Sequence, residues 1–99
     1  MHIGSVPDIY DALAAPARRL ILDELSERDG QALFELCTRL TMKHGLELSR
    51  QAISQHLEVL EAAGLIRSTR EGRCKFHHID TGPLGQIAER WPTSRRDEG

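Results

Sequence analysis

The strongest constraint on the fold is a helix signal between residues 49 and 64. Ser49 is a favourable N-cap, because a serine hydroxyl can accept a hydrogen bond from a free amide of the first helical turn. The helix is predicted from Arg50 to Ala63, and Gly64 ends it because glycine tolerates a left-handed backbone. Apolar residues recur along one face of this segment, at Ile53, Leu57 and Leu60. An amphipathic helix with a long polar face is therefore expected.

A β-hairpin is predicted directly after this helix. Its strands run from Leu65 to Thr69 and from Arg73 to Ile79, and both are rich in residues that favour extended backbone. They flank Arg70-Glu71-Gly72, in which the glycine permits a tight turn. The hairpin would therefore project from the end of the amphipathic helix.

Four further helices are predicted from apolar periodicity and from capping and breaking residues. Their predicted bounds are 7–14, 16–28, 32–43 and 81–91. The chain is thus expected to be mainly α-helical with a small β-hairpin, in the order ααααββα, which is the order of a winged helix-turn-helix. Residues 1–91 are predicted to form one domain, and residues 92–99 a mobile polar tail.

Composition narrows the class of protein. Hydrophobic residues make up 39% of the chain and charged residues 28%, as in ordinary water-soluble domains. The sequence has neither an apolar run of membrane-spanning length nor a signal-peptide pattern, so a cytoplasmic protein is expected. Two cysteines are too few for a disulfide framework and are expected to stay reduced.

The charge is unevenly distributed along the chain. The formal net charge is −2, yet residues 49–78 contain five basic and three acidic side chains. The segment predicted to form the polar helix and the hairpin is therefore the positively charged part. Such a concentration is the electrostatic footprint expected of a nucleic-acid interface.

The polar residues of the helix suit the reading of DNA bases. The major groove accepts one α-helix, glutamine can pair with adenine, and arginine can pair with guanine. Basic residues on the hairpin could neutralise phosphates. The predicted DNA-binding residues are Ser49, Arg50, Gln51, Ser54, Gln55 and His56 on the helix and Arg70, Arg73 and Lys75 on the hairpin. An ordinary solvated helix face beside a basic hairpin would show the same pattern, so the residues alone leave both interpretations open.

The stretch SRQAISQHLEVLEAAGLIRSTREGRCKFHHID resembles the recognition helix and wing of the ArsR family of bacterial winged-helix repressors. The resemblance covers about residues 6–91, including YDALAAPARRLILDELSE upstream. It implies a homodimeric transcriptional repressor that binds a palindromic operator. It also implies pairing through the first and last helices, where the candidate dimer contacts are Ile9, Tyr10, Leu13, Leu84, Ile87 and Trp91. The same residues suit an ordinary intrachain core equally well.

The chain departs from the family in two places. The segment 38–48 is about one helical turn longer than the usual link between the two DNA-reading helices of the family. This extra length predicts an extended third helix or a longer loop before the recognition helix. Many relatives bind metals through two cysteines separated by one residue on the third helix. Here Cys37 takes the place of the first cysteine, and Arg39 stands where the second cysteine would be. The positive charge of Arg39 would repel a metal ion. The last helix, 81–91, contains no histidine, so neither known ligand set is present and no metal or cofactor is expected.

The roles of the remaining cysteines and histidines stay open. Cys74, His77 and His78 cluster on the second strand, with His78 or Cys74 expected to pack inward and His77 to be exposed. A redox- or metal-responsive repressor that uses Cys37 or Cys74 is a further alternative, as is an unidentified small-molecule inducer. His56 is better explained by phosphate or helix-junction contacts than by ligand binding.

No enzyme signature is present: the sequence has no phosphate-cradling glycine loop, no serine elbow and no paired catalytic carboxylates. The main alternative to DNA binding is a winged helix used for protein–protein contact.

Overall fold

The computed structural model describes residues 9–90, apart from the side chains of residues 87, 88 and 90. This part of the chain forms five helices and a three-stranded antiparallel sheet in the strand order β1-β3-β2. The elements are α1 (Ile9–Ala14), α2 (Pro16–Glu27), β1 (Gln31–Ala32), α3 (Leu33–His44), α4 (Arg50–Ala62), β2 (Ile66–Glu71), β3 (Cys74–Ile79) and α5 (Gly82–Arg90). The predicted fold class, mainly α with a small hairpin, is confirmed.

The core lies where the apolar faces of α2, α3 and α4 meet. The predicted stripe of α4 is buried, and the helices on either side contribute residues at helical spacing. The buried apolar residues are Ala12, Ile21, Leu22, Leu25, Leu36, Leu40, Ile53, Leu57, Leu60, Leu65 and Ile66. These helices therefore hold α4 by one face and leave its polar side accessible.

The longer segment before α4 is divided between a helix and a loop. Helix α3 continues to His44 and ends at Gly45, whose φ of 64° is left-handed. The Leu46 amide then donates to the Leu40 carbonyl over 3.1 Å, so the chain folds back over the last turn of the helix. Leu46 packs against the core, and residues 45–49 connect the two helices. The segment 38–48 is thus divided between the second half of α3 and the loop that precedes α4.

The sheet differs from the sequence prediction in one element. Strand β1 has only two residues, Gln31 and Ala32, which pair with His77 and Phe76 of β3. Two residues carry no detectable periodicity, so this strand exists because of tertiary pairing. It makes β3 the central strand rather than one side of an isolated hairpin.

The turn of the hairpin lies later than predicted. Glu71 pairs with Cys74, so the connection is the two-residue turn Gly72-Arg73 rather than Arg70-Glu71-Gly72. Gly72 has a φ of 62°. A two-residue hairpin turn requires positive φ, and this requirement shifts the turn so that glycine takes that position.

The base of the hairpin is attached to the end of α2 through Asp29. Its Oδ1 accepts the Ile79 amide over 2.7 Å, and its Oδ2 lies 3.1 Å from Nδ1 of His78. Thr69 on β2 places its hydroxyl 3.0 Å from Nε2 of the same ring. These contacts hold the hairpin at a defined angle to the helices.

The expected orientation of the second strand was wrong. His77 is only 5% exposed, whereas Cys74 is exposed and His78 lies between these extremes. Gln31 of β1 pairs directly with His77, and the half-buried side chain of Ile79 packs against the core. Since alternate residues of a strand face the same side, His77 and Ile79 both face inward at this end of β3.

Candidate nucleic-acid interface

The exposed side of α4 begins at its capped end. Ser49 accepts a hydrogen bond from the Ala52 amide over 3.0 Å, so the predicted N-cap is present and the helix starts at Arg50. Arg50, Gln51 and Gln55 are exposed, and Ser54 is half-buried. Gln51 and Gln55 are four residues apart, so their side chains lie one helical turn apart on the face opposite the core. Two glutamine amides are therefore available at the N-terminal half of the helix.

His56 lies on a different side of α4. Its Nδ1 is 3.2 Å from Nη1 of Arg18 on α2, and the side chain is half-buried. Burial and the neighbouring Arg18 charge both lower the pKa of His56. The ring is therefore at a helix junction, one of the two roles expected for it, and is separated from Gln51 and Gln55.

The hairpin presents a cluster of cations. Arg70, Arg73 and Lys75 are exposed, and within residues 9–90 none of them forms an ion pair. Arg70 and Lys75 are direct cross-strand partners. Like charges at opposed positions destabilise a hairpin. An anionic partner would relieve this repulsion, which makes the tip of the hairpin suited to a phosphate backbone.

A cleft of about 390 Å³ separates α4 from the hairpin. The first turn of α3 forms its third side, with Phe34 64% exposed. The residues that line it are Ala32, Leu33, Phe34, Arg50, Ser54, Leu57, Glu58, Glu61, Cys74, Lys75 and His77. Burial, followed by the charge of Lys75, lowers the pKa of His77, so its ring is neutral at neutral pH.

Four of the six candidate dimer residues have described side chains, and these fall in two groups. Ile9, Leu13 and Leu84 are half-buried and pack against the core of their own chain, whereas Tyr10 is 42% exposed. The side chain of Ile87 and all of Trp91 lie outside the described residues. The chain's own core therefore accounts for part of this set, and Tyr10 extends it to the surface of α1.

The cysteines and Arg39 have separate environments. Cys37 is half-buried against the core, and burial raises the pKa of its thiol more than the Arg50 charge lowers it. Arg39 forms ion pairs with Glu24 and Glu27 of α2. Across the part of the chain that the structure describes, no group of three or more His, Cys, Asp or Glu side chains could hold a metal ion. Within the same residues, none of the helices has the length and apolar character that crossing a bilayer requires.

Sequence reasoning missed the polar residues that join α2 to its neighbours. Glu24 and Gln31 are fully buried, and Arg18 bridges three helices. The sequence does contain one indication of this buried cluster: Glu24 falls between Ile21 and Leu25 on the apolar stripe of α2. A charged residue at a core position predicts a buried partner, although it does not say which one.

Helices α3 and α4, joined by a short loop and followed by the β2–β3 hairpin, define a winged helix-turn-helix protein of the DNA-binding class. Residues 13–69 match the family described as helix-turn-helix domain. The chain belongs to the ArsR family of winged helix-turn-helix transcriptional regulators, and the predicted resemblance is confirmed.

Three similar proteins illustrate this relationship. The uncharacterised HTH-type transcriptional regulator YuzN of Bacillus subtilis is 46% identical over 88 residues, which are 89% of this chain and 96% of YuzN. An ArsR-like transcriptional regulator from Rhodococcus sp. RHA1 is 34% identical with a TM-score of 0.70, over 83% of this chain and 71% of that one. A homodimeric winged helix-turn-helix DNA-binding domain from Mycobacterium bovis has a TM-score of 0.62 at 22% identity, over 91% of this chain and 83% of that one, and shares the fold.

Proposed function

We propose that this protein is a cytoplasmic, homodimeric repressor that binds a palindromic operator through α4 and the β2–β3 hairpin. The observation that carries the proposal is the exposed Gln51–Gln55 face of α4 beside hairpin cations that have no acidic partner in residues 9–90. Bases would be read by Arg50, Gln51, Ser54 and Gln55. Phosphates would be bound near Ser49 and by Arg70, Arg73 and Lys75.

Two features support a homodimer. Tyr10 exposes 42% of its surface on α1, and the M. bovis neighbour of the same fold is a homodimer. A domain of this size buries a modest fraction of its surface alone, so a second copy would add stability. A two-fold protein reads half-sites related by the same axis, which leads to the palindromic operator.

The proposed repressor does not use the paired-thiolate metal site of its relatives. Arg39 occupies the second position of that motif, and its guanidinium is bound to Glu24 and Glu27. Release from DNA would then depend on a non-metal signal, such as a small-molecule inducer, or the repressor would be constitutive. The wing cysteine, Cys74, is exposed and leaves a redox signal as the alternative.

One observation favours a second candidate function, a protein-interaction module. Phe34 and Met42 are 64% and 80% exposed, and they lie eight residues apart on α3. This spacing places both apolar side chains on the same helix face, where a partner protein could cover them.

The test is binding of the purified protein to a fragment of its own upstream DNA across a salt series, with zinc or a chelator added in parallel. We expect affinity that falls steeply with salt and does not respond to metal. Arg73→Ala should weaken binding and flatten the salt dependence, whereas Arg73→Lys, which keeps the charge, should preserve the slope. Metal-dependent release would overturn the non-metal assignment. Failure to bind this fragment and a genomic library would favour the protein-interaction module.

A further inference from the structure

Arg18 of α2 connects α1 to α4. Its Nε donates to the Ala12 carbonyl over 2.6 Å, and its Nη2 donates to the Asp11 carbonyl over 3.2 Å. The remaining terminal nitrogen, Nη1, lies 3.2 Å from Nδ1 of His56 on α4. One guanidinium therefore contacts the last turn of α1 and the second turn of α4 together.

The direction of the third hydrogen bond follows from the donors. A guanidinium has five N–H groups and no acceptor, so Nδ1 of His56 must accept from Arg18 with its lone pair. The bond thus requires an imidazole that carries no proton on Nδ1. Burial and the Arg18 charge both favour the neutral ring. The neighbouring charge that lowers the pKa of His56 is that of Arg18 itself.

We propose that Arg18 is a positioning residue that sets the orientation of the recognition helix relative to α1 through His56, and that His56 acts through this contact rather than on a phosphate. The inference rests on the proposed function, since it assigns a role in operator binding. The helix at the other end of the Arg18 contact, α1, carries the exposed Tyr10 that is proposed as a dimer contact. The orientation of α4 is thereby tied to the element through which the second copy would be held.

The contact bears directly on the reading residues. His56 follows Gln55 in the chain and lies at the middle of α4, five residues after Gln51. Base contacts depend on side chains held within about 0.5 Å of the required place. Loss of the Arg18 contact would leave this part of α4 joined to the other described helices by its apolar face alone, and apolar packing resists sliding and rotation less than a directional hydrogen bond does.

The chain contains a matched control for this role. Arg19 also donates to the end of α1, at the Leu13 and Ala14 carbonyls over 2.6 and 3.3 Å, and it makes no hydrogen bond to α4 within the described residues. Arg18→Met and Arg19→Met remove the same charge and similar α1 contacts. Only Arg18→Met removes the contact with the recognition helix.

Operator binding by the two variants tests the inference. We expect Arg18→Met to weaken affinity by about tenfold, the factor for one lost hydrogen bond to a charged group, and Arg19→Met by less than twofold. The salt slope should match wild type in both variants, because neither arginine contacts DNA in this scheme. Equal losses in the two variants, or a smaller salt slope in Arg18→Met alone, would overturn the inference.

Replacement of His56 separates positioning from phosphate binding by the sign of a pH effect. Asparagine can place an acceptor near Nδ1 and does not titrate. We therefore expect His56→Asn to retain affinity at pH 7.5 and His56→Leu to lose about tenfold. As the pH falls from 7.5 through the lowered pKa of His56, the affinity of wild type should fall relative to His56→Asn, because a protonated ring cannot accept from Arg18. A phosphate contact would strengthen on protonation, so a relative rise would overturn the inference.

A measurement without DNA distinguishes failure of this inference from failure of the proposed function. In amide hydrogen exchange of the free protein, Arg18→Met should accelerate exchange in α4 relative to α3, and Arg19→Met should not. If wild type binds no operator, the proposed function fails. Unchanged exchange of α4 in Arg18→Met would overturn the positioning role whatever the DNA result.

Discussion

The carboxylate of Glu24, fully buried on α2, accepts a hydrogen bond from the guanidinium of Arg39 on α3. Gln31 donates to the same carboxylate over 3.3 Å, and Lys43 places its ammonium 3.5 Å away. The ion pair fixes α3, the first helix of the helix-turn-helix, against α2. The residue that departs from the metal-binding pattern of the family is thus part of the framework of this protein.

Removal of Arg39 should be strongly destabilising. Arg39→Met leaves a buried carboxylate with weaker compensation, so we expect a loss of about 2–3 kcal/mol in the free energy of unfolding. Lys43→Met, which removes a more exposed and more distant cation, should lose less than about 1 kcal/mol. Urea titration at pH 7 measures both values. A loss in Lys43→Met as large as that in Arg39→Met would contradict the assignment of Arg39 as the principal partner.

The same carboxylate should make stability depend on pH on the acid side. Burial by itself raises the pKa of Glu24, but hydrogen bonds from Arg39 and Gln31 and the nearby positive charges outweigh it and hold the pKa below the ordinary 4.5. A lowered folded-state pKa stabilises the fold above pH 4.5, and this contribution is lost as the pH falls through the lowered value. Glu24→Gln should therefore be less stable than wild type at pH 7, with a difference that shrinks below pH 4.5 in urea titrations. A constant difference across this range would exclude the effect.

Loss of a reading side chain should change sequence preference more than general affinity. We expect Gln51→Ala and Gln55→Ala each to lose about 1–3 kcal/mol on the operator and to lose discrimination at one base pair per half-site. Binding to unrelated DNA should change little, because it depends on phosphate contacts. Gln86→Ala, an exposed glutamine on α5, is the control. Equal losses on operator and unrelated DNA would contradict base reading by α4.

The two thiols should differ in reactivity. Cys74 is exposed on the hairpin, whereas Cys37 is half-buried and burial raises the pKa of its thiol. Since the thiolate is the reactive form, iodoacetamide at pH 8 should alkylate Cys74 before Cys37. Mass spectrometry of the native protein, with Cys74→Ser as the control, measures the order. Faster labelling of Cys37 would show that its site opens in solution and would reopen redox sensing there.

Two glycines should respond oppositely to alanine. Gly72 has a φ of 62° in the hairpin turn, and a Cβ is strained in that conformation even though it meets no atom within 4 Å. Gly72→Ala should therefore lower stability by about 1 kcal/mol. Gly85 lies in α5 without a positive φ, and a Cβ there would meet no described atom within 4 Å, so Gly85→Ala should raise stability by about 0.5–1 kcal/mol. Thermal unfolding of both variants measures the difference, and a stabilised Gly72→Ala would refute the turn geometry.

The predictable parts of this protein are those with local causes. Ser49 caps α4, Gly45 ends α3, and the i, i+4, i+7 spacing from Ile53 to Leu60 identifies the buried face. Such signals act between residues a few positions apart, so a sequence window contains both partners. The polar side of α4 and the basic hairpin could be predicted for the same reason.

The amino-acid sequence by itself determined the helices, their buried faces and the order of elements that makes a winged helix-turn-helix. Only the tertiary structure decided that His56 meets Arg18, that Arg39 meets Glu24, and that β1 turns the hairpin into a three-stranded sheet with His77 inside. These contacts join residues 15 to 46 positions apart. The physical reason is that a hydrogen bond or an ion pair needs its partner within a few ångströms, and packing of the apolar faces brings such distant residues together.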